Sequence, residues 1–154
     1  MQDLPKTSRI RVDHYGSAYD QVWAEAAQAE MACNPSYHWH GEVSPGRLRR
    51  VLVHAHLLVL PSRTEGGANI VSEAIMAGLP VIASRIPGSV GLLGKDDPGY
   101  FPVANTAALH ALLLRAKTET SLLAKLQAAC AARRPLFAPE REQAALAALL
   151  DELR

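Results

Sequence analysis

The sequence predicts an α/β protein with a doubly wound parallel sheet, and three observations carry the prediction. Short apolar stretches with strand character alternate with longer helical ones from Ile10 to the end of the chain, the pattern of a parallel sheet covered on both faces. Glycines and prolines punctuate the junctions, where right-handed crossovers turn back onto the sheet. One stretch, Leu57 to Ser84, holds a complete unit of strand, glycine loop, helix and strand.

Taken in order, Arg9 to Gly16 alternates like a strand ending at a glycine turn. Ser17 to Met31 reads as an alanine-rich amphipathic helix, and Tyr37 to Gly41 as a short strand. Ser44 then opens a helix with Pro45 at its first position, running to about His54. Leu57–Leu60 is a buried strand that stops at Pro61. Asn69 is placed to cap a helix reaching Ala77, because Gly78 and Pro80 supply the stop signals. Pro80–Ala83 is the next strand, and Tyr100–Val103 a short edge strand bounded by prolines. Asn105–Lys117 and Thr120–Arg133 read as helices, and Pro139–Leu153 as a terminal one. No internal repeat or low-complexity linker interrupts this order. At 154 residues the chain is expected to be a single domain, 1–154, with 139–154 its terminal helix. A domain of that size buries roughly 70% of its unfolded surface.

Composition narrows the function classes. With 16 basic and 15 acidic residues the formal net charge is +1, which argues against a nucleic-acid surface or an acidic polymer as the main partner. The local run Arg47, Arg49 and Arg50 reads as a solvated helix face. Cys33 and Cys130 lie far apart in an α/β pattern, so reduced thiols and a cytoplasmic location are expected. The first residues, Met1–Lys6, lack the apolar centre of a signal peptide, and the apolar runs stop well short of a membrane span. A peripheral membrane contact is left open by this reading.

The chemistry concentrates in Pro61–Ala74. Gly66 and Gly67 lack Cβ atoms, so the backbone can take positive φ and approach a bulky ligand. The following helix offers unpaired amides and a positive dipole end to an anion, a natural seat for a phosphate or diphosphate. The dipole itself contributes only about 0.3–2 kcal/mol, so a second grip is needed. Glu73 lies about one turn inside the helix, and a carboxylate can accept from both hydroxyls of a vicinal diol such as a ribose. Glu65, on the other side of the glycines, would face whatever lies beyond the phosphates.

Glu65, seven intervening residues and Glu73, followed by Ala74 and by Ala77-Gly78-Leu79-Pro80-Val81-Ile82-Ala83-Ser84, resemble the donor-binding half of the retaining glycosyltransferases with two Rossmann-like lobes, the GT-B architecture. The resemblance is strongest over Val59–Ser84 and extends over Ile10–Lys117. It implies that the chain is one Rossmann-like lobe, the C-terminal donor lobe, of a longer two-lobed enzyme whose N-terminal acceptor lobe is its missing partner. It also implies that the ligand is a nucleotide diphosphate sugar, that no metal or other cofactor is needed for the chemistry, and that the lobe alone is inactive. Carried over by position, Glu73 would bind the nucleotide ribose. Glu65 would contact donor-sugar hydroxyls near the reacting carbon, as the catalytic-site carboxylate. The backbone around Gly66, Gly67, Ala68 and Asn69 would face the sugar and the diphosphate. Two departures stand out: Ser84–Gly94 lacks the family's glycine pair and following glutamate, and nothing before Arg9 resembles its phosphate-binding arginine and lysine turn. Glu65–Asn69 with Ser84–Gly88 and Pro98–Pro102 also resembles a branch that includes selenosugar synthases. Alternatives are a sugar-nucleotide epimerase lobe and a non-catalytic α/β module for protein docking.

Rival constellations are weaker. His38 with His40, and His54 with His56, are each two residues apart, but no cysteine or carboxylate cluster completes a metal site. His14, at a strand end, stands where ligand rims form, though a structural role is the simpler expectation. Ser62 follows a proline at a strand exit with no base at a telling position, so it is expected to bond within its own loop. Taken singly, Glu65 reads as an exposed turn carboxylate and Glu73 as a helix-surface charge. Trp23 and Trp39 read as core or lobe-contact residues.

Overall fold

The structure, a computed structural model, describes residues 8–152. The chain divides into two compact units, with the break between Arg50 and Val51. Among the described residues every strand pair is parallel and helices connect them, as the alternation of elements predicts. Among the described residues, two strands pair in the first unit and three in the second.

In the first unit, β1 (Val12–His14) and β2 (Tyr37–Trp39) flank α1 (Gln21–Cys33). The register sets Val12 beside Tyr37 and His14 beside Trp39. Helix α1 starts later than Ser17, because Asp20 is its cap and accepts from the Trp23 amide at 2.9 Å. Its expected amphipathic burial is not observed: α1 contributes no buried residue, and Trp23 is 65% exposed rather than part of a core. Its alanines bury little area, so the apolar count overstates the driving force. Trp39 is half-buried and donates from Nε1 to Gly16 O at 2.9 Å.

Helix α2 (Pro45–His54) spans the break, with Ser44 Oγ accepting from the Arg47 amide at 3.4 Å. Arg47, Arg49 and Arg50 are exposed on it. The second unit then runs β3 (Leu58–Leu60), α3 (Asn69–Ala77), β4 (Val81–Ser84), α4 (Pro87–Leu93), β5 (Tyr100–Phe101), α5 (Thr106–Thr118) and α6 (Thr120–Arg133). A 3-10 turn, Arg134–Phe137, and α7 (Pro139–Glu152) complete it. Strand β4 is central, between β3 and β5, and all four of its residues are buried. That explains its unbroken apolar sequence.

Helix α3 packs Val71, Ala74 and Ile75 into the core beside Leu79, Val81 and Cys130. Gly78, at φ 75°, ends it: the Gly78 amide donates to Ile75 O at 3.0 Å and the Leu79 amide to Ala74 O at 2.9 Å. This paired turn needs the left-handed conformation that glycine supplies without strain, and it aims the chain directly into β4. Both cysteines are free thiols, Cys33 exposed and Cys130 buried. Among the described residues no helix is long and apolar enough to cross a membrane.

Helix α4 is not foreseen by the sequence, where Gly88 and Gly91 argue against a helix. It forms with Pro87 in its first turn, a position where the missing proline amide costs nothing. Tyr100 secures its far end, donating to Gly94 O at 2.7 Å with Ser89 O at 3.2 Å. Burial, with Asp97 adding to it, pushes the Tyr100 hydroxyl up to about 12.

Candidate functional site

The loop between β3 and α3 leaves the carboxyl end of the sheet, where open parallel sheets present ligand-binding segments. Three contacts fix it. Ser84, fully buried at the end of β4, donates from Oγ to Ser62 O and lies 3.5 Å from Leu60 O. Ser62 Oγ in turn donates to Glu65 Oε1 at 3.0 Å, the in-loop bond expected of that serine. Gly88, in the first turn of α4, passes so close that a Cβ there would stand 2.2 Å from Glu65 O and 3.3 Å from Glu65 Cβ. Only glycine admits that approach.

Glu65, Gly66, Gly67 and Asn69 are exposed, and Ala68 is half-buried. Gly67 takes φ 144°, so one of the two glycines has the backbone role expected of it. Asn69 does not cap α3: Ala68 holds the cap position, with no side-chain hydrogen bond, and Asn69 is the first helical residue. The Ser72 hydroxyl donates back to Asn69 O at 2.8 Å instead. The Val71 amide donates to Ala68 O at 2.9 Å, so without a side-chain cap the amides of Asn69 and Ile70 are the ones left to a ligand or to water.

Glu73 sits in the second turn of α3, half-buried. Advancing by about 100° per residue, it lies nearly opposite the Val71–Ala74–Ile75 face. There it lines an open groove with Ser72 and Met76, across from Phe137 and Arg141. Glu65 and the Gly66–Asn69 backbone are not part of that groove's lining. The structure thus puts Glu65 and the glycines together on the loop, and Glu73 on a neighbouring face of the helix that the loop opens. The contribution of Phe137 and Arg141 to the groove had no sequence signal, since they follow Glu73 by more than sixty residues.

The first unit carries a separate polar cluster at the carboxyl ends of β1 and β2. Asp13 accepts from Arg11 at 2.8 and 2.9 Å and pairs with His40 Nε2 at 2.7 Å. The Arg11 hydrogen bond, then that of His40, holds the Asp13 carboxyl below its usual range against partial burial. Tyr15 stacks on His40 with ring centroids 4.6 Å apart. His14 Nδ1 lies 2.6 Å from the Tyr37 hydroxyl, a structural partner for the strand-end histidine. Among the described residues, no group of three or more His, Cys, Asp or Glu side chains could hold a metal ion.

Burial lowers the His14 pKa from its ordinary 6.5, which has a consequence for stability. The unfolded chain takes up the proton first as pH falls, so the stabilisation is complete above 6.5 and is lost as pH drops towards the folded-state value. Thermal unfolding at pH 7.5 and 5.5 is expected to show lower stability at the acid end, with a smaller difference in His14→Gln. An equal difference in both proteins would assign the effect to other groups. Asp13 acts in a second window, losing its contribution only below its ordinary 3.8.

The profile of the family described as Glycosyl transferases group 1 matches residues 2–118. A search of curated protein sequences finds no match. Among solved structures, sucrose-phosphate synthase from Thermosynechococcus elongatus superposes with a TM-score of 0.76 at 21% identity, covering 96% of this chain and 40% of that one. The pneumococcal O-GlcNAc transferase GtfA, in complex with UDP and GlcNAc, gives a TM-score of 0.76 at 19% identity, over 92% of this chain and 29% of that one. Anabaena Alr3699/HepE, in complex with UDP-glucose, gives 0.71 at 15% identity, over 95% and 43%. The likeness shows the fold, that of a lobe of the GT-B type, and the chain spans less than half the length of each of these proteins.

Proposed function

We propose, from the premise that the chain belongs to the group 1 glycosyl transferases, that it is the donor-binding lobe of a retaining glycosyltransferase using a nucleotide diphosphate sugar. The observation that carries the reading is the unit from Leu58 to Ala77. A strand feeds a fixed glycine loop bearing Glu65, and the loop opens an uncapped helix bearing Glu73. UDP and UDP-glucose in the related structures support a ligand of that class.

In this reading the Asn69 and Ile70 amides at the start of α3 and the Gly66–Gly67 backbone receive the diphosphate and offset the charge it gains on leaving. Glu73 accepts from the ribose diol. Glu65 orients the donor sugar, and no metal takes part. The acceptor is bound by a second lobe outside this chain, whose closure excludes water.

Calorimetric titration of the chain with UDP and with UDP-glucose tests the proposal. Saturable 1:1 binding is expected, with the sugar nucleotide the tighter ligand, and no turnover of donor with simple acceptors. Absence of binding by both would overturn the donor-lobe reading for uridine nucleotides, and multiple-turnover transfer would overturn its division of labour. Product analysis of the whole enzyme separates transfer, which consumes an acceptor, from epimerisation, which does not.

A further inference from the structure

We infer that Ser62 is a positioning residue for Glu65, the last link of a relay that runs from the buried Ser84 through the loop backbone to the carboxylate. The inference rests on the reading of Glu65 as the group that meets the donor sugar. Ser84 is 0% exposed, and its hydroxyl donates to Ser62 O. A buried hydroxyl that finds its acceptor in the neighbouring strand exit fixes that exit, because losing the bond would strand a polar atom away from water. Ser62 then turns its own hydroxyl forward to Glu65 Oε1 at 3.0 Å.

The other end of Glu65 is held independently. The approach of Gly88 to Glu65 O and Cβ leaves no room for the peptide to shift towards α4. Backbone and carboxylate are therefore restrained from two strand exits at once, those of β3 and β4. Glutamate is among the side chains that lose most rotamer freedom when ordered, so a carboxylate already held when the donor arrives binds it at lower entropic cost. The bond from Ser62 engages Oε1 only. Oε2 has no protein donor among the described residues and can accept from a sugar hydroxyl.

The effect of Ser62 is therefore confined to the sugar half of the ligand. In Ser62→Ala the affinity for UDP-glucose is expected to fall about five- to tenfold, while that for UDP stays unchanged. Ser62→Thr, which keeps the hydroxyl, restores the parent value. The second readout needs no ligand: the carboxyl carbon signal of Glu65 in the free protein, assigned by NMR, should move in Ser62→Ala and stay in Ser62→Thr. Unchanged UDP-glucose affinity in Ser62→Ala, equal weakening of both ligands, or an unmoved Glu65 signal would each overturn the assignment. If the parent chain binds neither ligand, the donor-lobe reading falls by itself, and the carboxyl signal still decides whether Ser62 holds Glu65.

Discussion

Ile75→Ala is expected to lower the unfolding free energy of the second unit by about 2–5 kcal/mol. Ile75 is 0% exposed and belongs to the core with Val71, Ala74, Leu79 and Val81. Truncation removes buried methylene groups and leaves a void between α3 and the sheet that close packing cannot fully absorb. Urea unfolding should show an earlier midpoint at nearly constant slope. The probe matters, because Trp23 and Trp39 both precede Arg50 and report on the first unit; amide exchange within α3 follows the second. Val53→Ala is the control, since Val53 is 68% exposed and surface truncations stay within about ±0.5 kcal/mol. A loss under about 1 kcal/mol at Ile75 would mean that α3 is not anchored by its apolar face, and the placement of Glu73 would lose its support.

The same helix shows what was legible in the sequence. Val71, Ala74 and Ile75 recur at helical spacing, and Gly78-Leu79-Pro80 marks the stop, so the extent of α3 and its core face follow from periodicity and turn chemistry. Strand β4 was equally plain, because burial on both faces requires an unbroken apolar run. Cap positions were not. Asn69 has good cap chemistry, yet Ala68 occupies the site and Asn69 is the first helical residue. Helix α4 was hidden by Gly88 and Gly91, whose low helix propensity is overridden by tertiary contacts: the close passage of Glu65 demands a residue without a Cβ.

Side-chain pairings across distant segments were the least legible. The bond from Ser62 to Glu65 is local and could be anticipated from a serine at a strand exit. Its anchor on Ser84 depends on how β3 and β4 register, Leu58 beside Val81 and Leu60 beside Ala83, which no single-sequence pattern specifies. The contact between Tyr37 and His14 likewise depends on parallel pairing in the first unit. Alanine-rich α1 misled in the opposite direction. Its composition suggested an amphipathic helix, whereas Val22, Trp23 and Met31 are all exposed.

Glu73→Ala should weaken nucleotide binding tenfold or more while leaving the fold intact. A hydrogen bond to a charged acceptor contributes about 1.5–3 kcal/mol, and a tenfold change in Kd corresponds to about 1.4 kcal/mol, so loss of one ribose contact is enough. The stability half of the prediction follows from the helix geometry: Glu73 points away from the Ile75 face, towards the groove shared with Phe137 and Arg141. Truncation there opens no core void, and the urea midpoint should move by no more than about 0.5 kcal/mol equivalent. Glu73→Gln separates charge from shape, because the amide keeps one acceptor oxygen but gives up the negative charge that would strengthen the two proposed diol bonds; its affinity for UDP should fall between those of parent and alanine variant. Unlike Ser62→Ala, the Glu73 variants should weaken UDP and UDP-glucose alike, since both carry the ribose. Unchanged affinity for UDP in Glu73→Ala would remove this carboxylate from the ligand site. Equal losses of affinity and stability would mean that it acts through the helix rather than on the nucleotide.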